Sequence, residues 1–243
     1  MVKDSVDFKF IAENIIKILG ALPVTIVITL SALFFGWAFG LLIATGKIRG
    51  PKWLKEILKW ITDIVRGIPT VVLLYVVYFG LPQLVEKTTG ISIGNWSKQT
   101  FVVIALALEL AITSSEMFRS AYNSIKKGQL EAAWALGFNR FQSFVRVIFP
   151  QGLFVILPNL SSAVLSIIQA TALVYTLGIY DILGKARQID TNEAHVKTFE
   201  MYLAAAAIYW ALSILVVFIF RKLEGYFGRG NATIAAKGKA VTT

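Results

Sequence analysis

The sequence predicts an all-α membrane protein with five transmembrane helices. Three observations carry that prediction. Of 243 residues, 56% are hydrophobic and only 16% charged, whereas soluble domains carry about 25% charged residues. Mean hydropathy is +0.69. Five apolar segments also reach the length of about 20 residues that a helix rising 1.5 Å per residue needs to cross a bilayer core.

The spans are expected, in order, at 21–44, 64–81, 100–120, 153–178 and 201–220. The first is read as a retained span, because Asp4, Asp7 and Glu13 precede it where a cleavable signal peptide would be basic. Its Thr25, Thr29, Ala32, Gly36 and Gly40 form a stripe of small residues suited to close helix packing. The third and fourth are the least apolar, carrying Glu109, Thr113, Ser162, Ser166 and Gln169. Between the first two, Lys52 to Ile61 sets Trp53, Leu54, Ile57, Leu58 and Ile61 on one helical face, with Lys52, Lys55 and Lys59 off it. That pattern fits a helix in the membrane interface or the wet start of the second span.

Basic residues orient the chain. Sixteen of the 24 Lys and Arg fall on one side of the five-span layout, including Lys47, Arg49, Arg66, Arg119, Lys126, Arg140 and the C-terminal cluster. That side is expected to be cytoplasmic, with the N-terminus outside. The net charge of +10 is then a topology signal and does not point to nucleic acid. With no cysteine and one histidine, His195, a disulfide framework, a thiolate site and a histidine-built metal site are excluded. His195 reads as a solvated loop residue, and no Ser–His or metal arrangement suggests an enzyme.

One stretch breaks the apolar pattern: Lys126 to Arg140, KKGQLEAAWALGFNR, in the cytoplasmic connection between the third and fourth spans. Ala132, Ala133, Ala135 and Leu136 are good helix formers, and Gly137 can end the helix in a left-handed conformation. Physics alone allows an interfacial helix lying on lipid. The fuller string is more specific. Glu131-Ala132-Ala133, three residues, Gly137, nine residues, then Val147-Ile148-Phe149-Pro150 resembles the EAA signature of bacterial ATP-binding-cassette importer permeases, with Val147 and Phe149 as conservative departures. Arg66-Gly67-Ile68-Pro69, Tyr78-Phe79-Gly80-Leu81-Pro82, Glu116-Met117-Phe118-Arg119, Lys127-Gly128-Gln129 and Pro150-Gln151 are similar to the polar amino-acid branch, which includes cystine, glutamine, histidine and arginine permeases.

The resemblance covers about residues 20–225. It implies a type-I-like permease domain over 21–225, an extracytoplasmic segment at 1–20 and, with the Gly, Ala, Thr and Lys of 226–243, a disordered cytoplasmic tail. It also implies a bacterial inner-membrane location and a coupling helix within 128–140, with Gln129, Glu131, Ala132, Ala133 and Gly137 engaging a cytoplasmic ATPase dimer. A second permease subunit and an extracytoplasmic amino-acid-binding protein complete the implied assembly. No cofactor is expected on this chain. Gly178 to Lys185 lacks P-loop spacing, so ATP would be used by the partner.

Residue spacing points to a substrate path. Glu109, Thr113, Glu116 and Ser120 follow one helical face, as do Ser162, Ser166 and Gln169 on the fourth span. Glu109 lies roughly 14 Å into its span, and intramembrane ionisable groups usually face a cavity. Its carboxylate suits a substrate ammonium, with the hydroxyls and the Gln169 amide on the substrate carboxylate. The same polar faces also suit hydrogen bonds that only hold helices together. Relatives in the branch commonly have Asn-Glu after the Leu-Pro of the fourth span, where this chain has Ser162 and Ala163. The missing glutamate favours a zwitterionic amino acid, such as cystine, over arginine. A secondary transporter or channel component is the alternative, although no internal repeat supports it.

Overall fold

A computed structural model describes residues 6–240, the side chains of Lys127 and of residues 228–240 excepted. Its described elements are helical. In chain order they are α1 (Phe8–Leu19), α2 (Leu22–Arg49), α3 (Lys52–Arg66), α4 (Thr70–Tyr75), a π turn (Val76–Gly80), α5 (Leu81–Thr89), α6 (Lys98–Asn123), α7 (Lys127–Ala135), α8 (Arg140–Ser143), a second π turn (Phe144–Ile148), α9 (Phe149–Thr171), a 3₁₀ turn (Val174–Leu177), α10 (Ile182–Asn192) and α11 (Thr198–Ala240). Five helical stretches are long and apolar enough to span: Leu22–Arg49, Thr70–Thr89, Lys98–Asn123, Arg140–Leu177 and Thr198–Phe227.

The second span starts at Thr70 instead of residue 64. Ile64 and Val65 continue the apolar run, but Pro69 disfavours helical backbone at the residue before it and has no N–H to give. The chain therefore ends α3 at Arg66 and restarts at Thr70. The same span runs on to Thr89 and stops at Gly90, whose φ of 72° is left-handed. The last helix continues to Ala240, through the segment whose composition reads as a tail; its Ala and Lys content is compatible with helix.

Packing is densest between α2 and α6. Thr25, Ile28, Thr29, Ala32, Gly36 and Gly40 are all buried on one face of α2. A Cβ added at Gly36 would sit 2.7 Å from Leu110, and one at Gly40 would strike the Ser114 hydroxyl. Ser114 Oγ answers by donating to Leu110 O at 2.6 Å within its own helix. The main core joins these two helices to α9 through Leu106, Leu110, Val164, Ile167 and Ile168. A second cluster gathers Ile18, Ile182, Ala186, Met201 and Ala205 from α1, α10 and α11.

Candidate functional site

A groove of about 810 Å³ runs between α6 and α9, with Thr70 at its edge. Every residue singled out on the two polar faces lines it: Glu109, Thr113, Glu116 and Ser120 from α6, and Ser162, Ser166 and Gln169 from α9. Helical spacing explains why, since each set repeats within one turn-and-a-bit and so keeps one azimuth. Thr113, Ser162, Ser166 and Gln169 are exposed to the groove, whereas Glu109 is half-buried.

Glu109 is the chemically pointed member. Thr70 Oγ1 donates to its Oε1 at 2.8 Å. Its Oε2 is buried and has no hydrogen-bond partner among the described residues. A buried carboxylate oxygen without a donor is unfavourable by about 1–3 kcal/mol or more, and among the described groove-lining residues it is the one buried side-chain oxygen left unpartnered. Thr113 and Ser162 spend their hydroxyl protons on Glu109 O and Pro158 O, which leaves both oxygens as acceptors facing the groove. Asn159 adds a second amide to the lining, about three turns along α9 from Gln169.

Thr70 and Asn159 escape a reading by spacing. Thr70 reaches Glu109 across 39 positions of sequence, and only the helix break at Pro69 brings it there. Asn159 sits one residue after a proline inside a helix, a place more often read as a capping position.

The end of the groove near α7 is charged. Lys47 of α2, its side chain only 6% exposed, pairs with Glu116 Oε1 and donates to Thr62 of α3 at 2.9 Å. Arg119 takes the other carboxylate oxygen of Glu116, through Nε at 2.9 Å and a terminal nitrogen at 2.8 Å. Glu116 is thus saturated by two cations, while Glu109, two turns away on the same face, retains an open oxygen.

Beyond this end, α6 passes into the short polar helix α7. Phe138 N donates to Ala133 O at 3.0 Å and Gly137 N to Trp134 O at 2.9 Å, the paired bonds of a Schellman ending. Gly137 has φ of 80° with open space around its Cα, so glycine is needed there for conformation alone. Asn139 then caps α8 reciprocally with Gln142, and Arg146 stacks over Phe138 at 5.3 Å. Gln129, Glu131, Ala132 and Gly137 are exposed, and Ala133 turns inward and is buried. Leu136 and Phe141 are each 75% exposed, and Trp134 is exposed beside them. The segment is internally well made, yet it leaves apolar side chains uncovered.

At the opposite end, Asp181 is fully buried and caps α10 by accepting from Gly184 N at 2.8 Å and from the Tyr209 hydroxyl at 2.6 Å. Burial holds its carboxyl above the usual range. His195 is not simply solvated: its Nδ1 lies 2.9 Å from Asp190 Oδ2, and Thr198 donates to the other oxygen at 2.8 Å. Burial of Asp190 works against ionisation, but these bonds outweigh it and hold the carboxyl below its usual range. The pairing secures a turn in which Ala194 and His195 both have positive φ.

Residues 36–225 match the family of inner membrane components of binding-protein-dependent transport systems. The chain belongs to that family. The L-cystine transport system permease protein of Bacillus subtilis strain 168 is 30% identical over 90% of this chain and 90% of its own length. The arginine ABC transporter permease protein of Haemophilus influenzae is 37% identical over 68% of this chain and 74% of its own. The crystal structure of an amino acid ABC transporter with histidines contains a chain with a TM-score of 0.78 and 28% identity, covering 92% of this permease and 100% of that chain. The permease is a multi-pass inner-membrane protein. Its relatives handle substrates of different charge, so kinship alone does not choose among them.

Proposed function

We propose that this permease is the membrane-spanning subunit of an ATP-driven importer for a polar, zwitterionic amino acid. It takes substrate from a binding protein outside the membrane and moves it along the groove between α6 and α9. Residues 128–140 couple it to a cytoplasmic ATPase dimer, and a second permease subunit closes the open side of the path. ATP is hydrolysed by the partner. The observation that carries the reading is the buried, donor-less Oε2 of Glu109 in a groove lined by hydroxyls and two amides.

A substrate ammonium satisfies that oxygen, and the Gln169 amide and the Ser166 hydroxyl, one turn apart on α9, supply donors for its carboxylate. Glu116 would be the second carboxylate available to a basic side chain, but Lys47 and Arg119 already occupy both its oxygens. A guanidinium would meet Arg119 there. The groove accordingly favours a neutral polar side chain, with cystine as the leading example.

Uptake into proteoliposomes holding the permease, its ATPase and its binding protein tests the reading. Cystine and glutamine are expected to compete better than arginine, and Glu109→Gln to weaken uptake about 10–100-fold, from a charge-assisted hydrogen bond of about 1.5–3 kcal/mol. Arginine competing best would overturn the substrate class. Uptake that persists without ATP hydrolysis would overturn the transport mode.

A further inference from the structure

Helix α3 has three faces, not two. With 3.6 residues per turn, Leu54, Leu58, Thr62 and Val65 fall within an arc of about 80°. They point into the protein: Leu54 and Leu58 approach Gly50 and Gly46 of α2, Thr62 is buried on Lys47, and Val65 packs against the main core. The next arc of about 100° holds Lys52, Lys55, Glu56, Lys59, Asp63 and Arg66. The third, also about 100° wide, holds Trp53, Ile57, Trp60, Ile61 and Ile64, all exposed, with Trp53 at 65% and Trp60 at 67%. The two tryptophans lie on the edge of the apolar arc that borders the charged one.

The charged arc is unused within the chain. Lys52, Lys55, Lys59 and Arg66 make no ion pair among the described residues, although Glu56 follows Lys52, and Asp63 follows Lys59, by one helical turn. Their charge is therefore available to an outside anion. Tryptophans at an apolar–polar border are the signature of a lipid headgroup boundary. Basic residues beside an apolar face that dips into lipid attract anionic headgroups. A protein hot spot would centre its tryptophans in the apolar arc, whereas here both stand on the border with the charged one.

We infer that α3 is an anionic-phospholipid binding surface: its Trp–Ile face lies in the acyl region while Lys52, Lys55 and Lys59 hold the headgroup. The bound lipid is wired to the transport groove, because Thr62 on the same helix accepts a hydrogen bond from Lys47, and Lys47 holds Glu116 in the groove wall. This surface stands whether or not Glu109 binds substrate.

The test uses the permease–ATPase complex, titrated with phosphatidylglycerol or phosphatidylcholine and read by native mass spectrometry. The wild type is expected to retain phosphatidylglycerol preferentially. The K52Q/K55Q/K59Q variant should bind it at least about tenfold more weakly, each lysine near an anionic surface contributing on the order of a factor of five. The E56Q/D63N variant should bind it more tightly, which keeps the proposal testable if the triple variant folds poorly. A nitroxide at Ile57→Cys in phosphatidylglycerol nanodiscs is expected to be accessible to oxygen and shielded from a water-soluble nickel reagent. Unchanged phosphatidylglycerol preference in both charge variants would overturn the inference. So would a nitroxide shielded from both reagents, which would mean that protein covers this face.

Discussion

The α2–α6 pair and the α7–α8 segment are opposite solutions to the same chain's packing. In the first, glycines and alanines let two spans approach closely, and Ser114 spends its hydroxyl proton inside its own helix. In the second, α7 closes on a Schellman ending and α8 opens on a capping box, yet Trp134, Leu136 and Phe141 stand uncovered. The first region is finished by the chain itself. The second has its conformation fixed by its own backbone bonds, while its apolar surface stays uncovered among the described residues. Order and completeness are thus separable: a segment can be rigid and still lack the contacts that would bury it.

The largest effect should come from breaking the first region. Gly36→Leu places a branched side chain where even a Cβ stands 2.7 Å from Leu110; overpacking of this kind destabilises by about 1–3 kcal/mol or more. Size-exclusion profiles should show loss of the monodisperse permease, and a well-behaved variant would mean that α2 and α6 tolerate separation. The second region should respond differently. Leu136→Asp should leave the permease folded while reducing ATPase co-purification about 30-fold, as for an interface residue worth about 2 kcal/mol; equal loss of both would contradict the contrast. Gly137→Asp should act in the same direction more weakly, because its positive φ is uncommon but tolerated for Asp.

Between the two regions, Thr70→Val removes the donor on Glu109 Oε1. A hydrogen bond to a charged group contributes about 1.5–3 kcal/mol, so substrate affinity should fall about tenfold, with Thr70→Ser restoring it. The smallest effect concerns the Asp190–His195 turn. Because the Asp190 carboxyl is held below its usual range, the stability it supplies is present at neutral pH and lost as pH falls through that lowered value. Asp190→Asn should lower Tm at pH 7 by about 1–2 °C, given the 2–4 °C expected per kcal/mol for a chain of this size. The gap should close as the solution is acidified below the carboxylate range. A gap unchanged down to low pH would remove the charge from the explanation.

Much of this was legible before any coordinates. Hydropathy finds all five spans, and helical periodicity places Glu109, Thr113, Ser162, Ser166 and Gln169 on faces that line one groove. The start of the second span was misplaced because an apolar count sees Ile64 and Val65 but not the backbone consequence of Pro69. Other features depend on contacts that spacing along one helix cannot express. Lys47 meets Glu116 from 69 positions away, and Thr70 meets Glu109 from 39. A single-helix pattern shows which residues share a side, not which of them arrive already paired. For that reason Glu109 and Glu116 look alike in the sequence and differ in the fold.

The glycine contact of α2 on α6 also has a mechanical consequence. The groove has two walls, and α7–α8 is tethered to both, through the end of α6 on one side and the π turn into α9 on the other. One wall is laminated onto α2 without slack. The other carries Pro158 in its interior, on the side turned to α11, so its backbone ladder is missing a rung beside the groove's wall. A load applied at the tether divides according to compliance, and the softer beam takes up most of the displacement. Gly36 and Gly40, by pinning α6 to α2, are expected to leave α9 as the wall that yields.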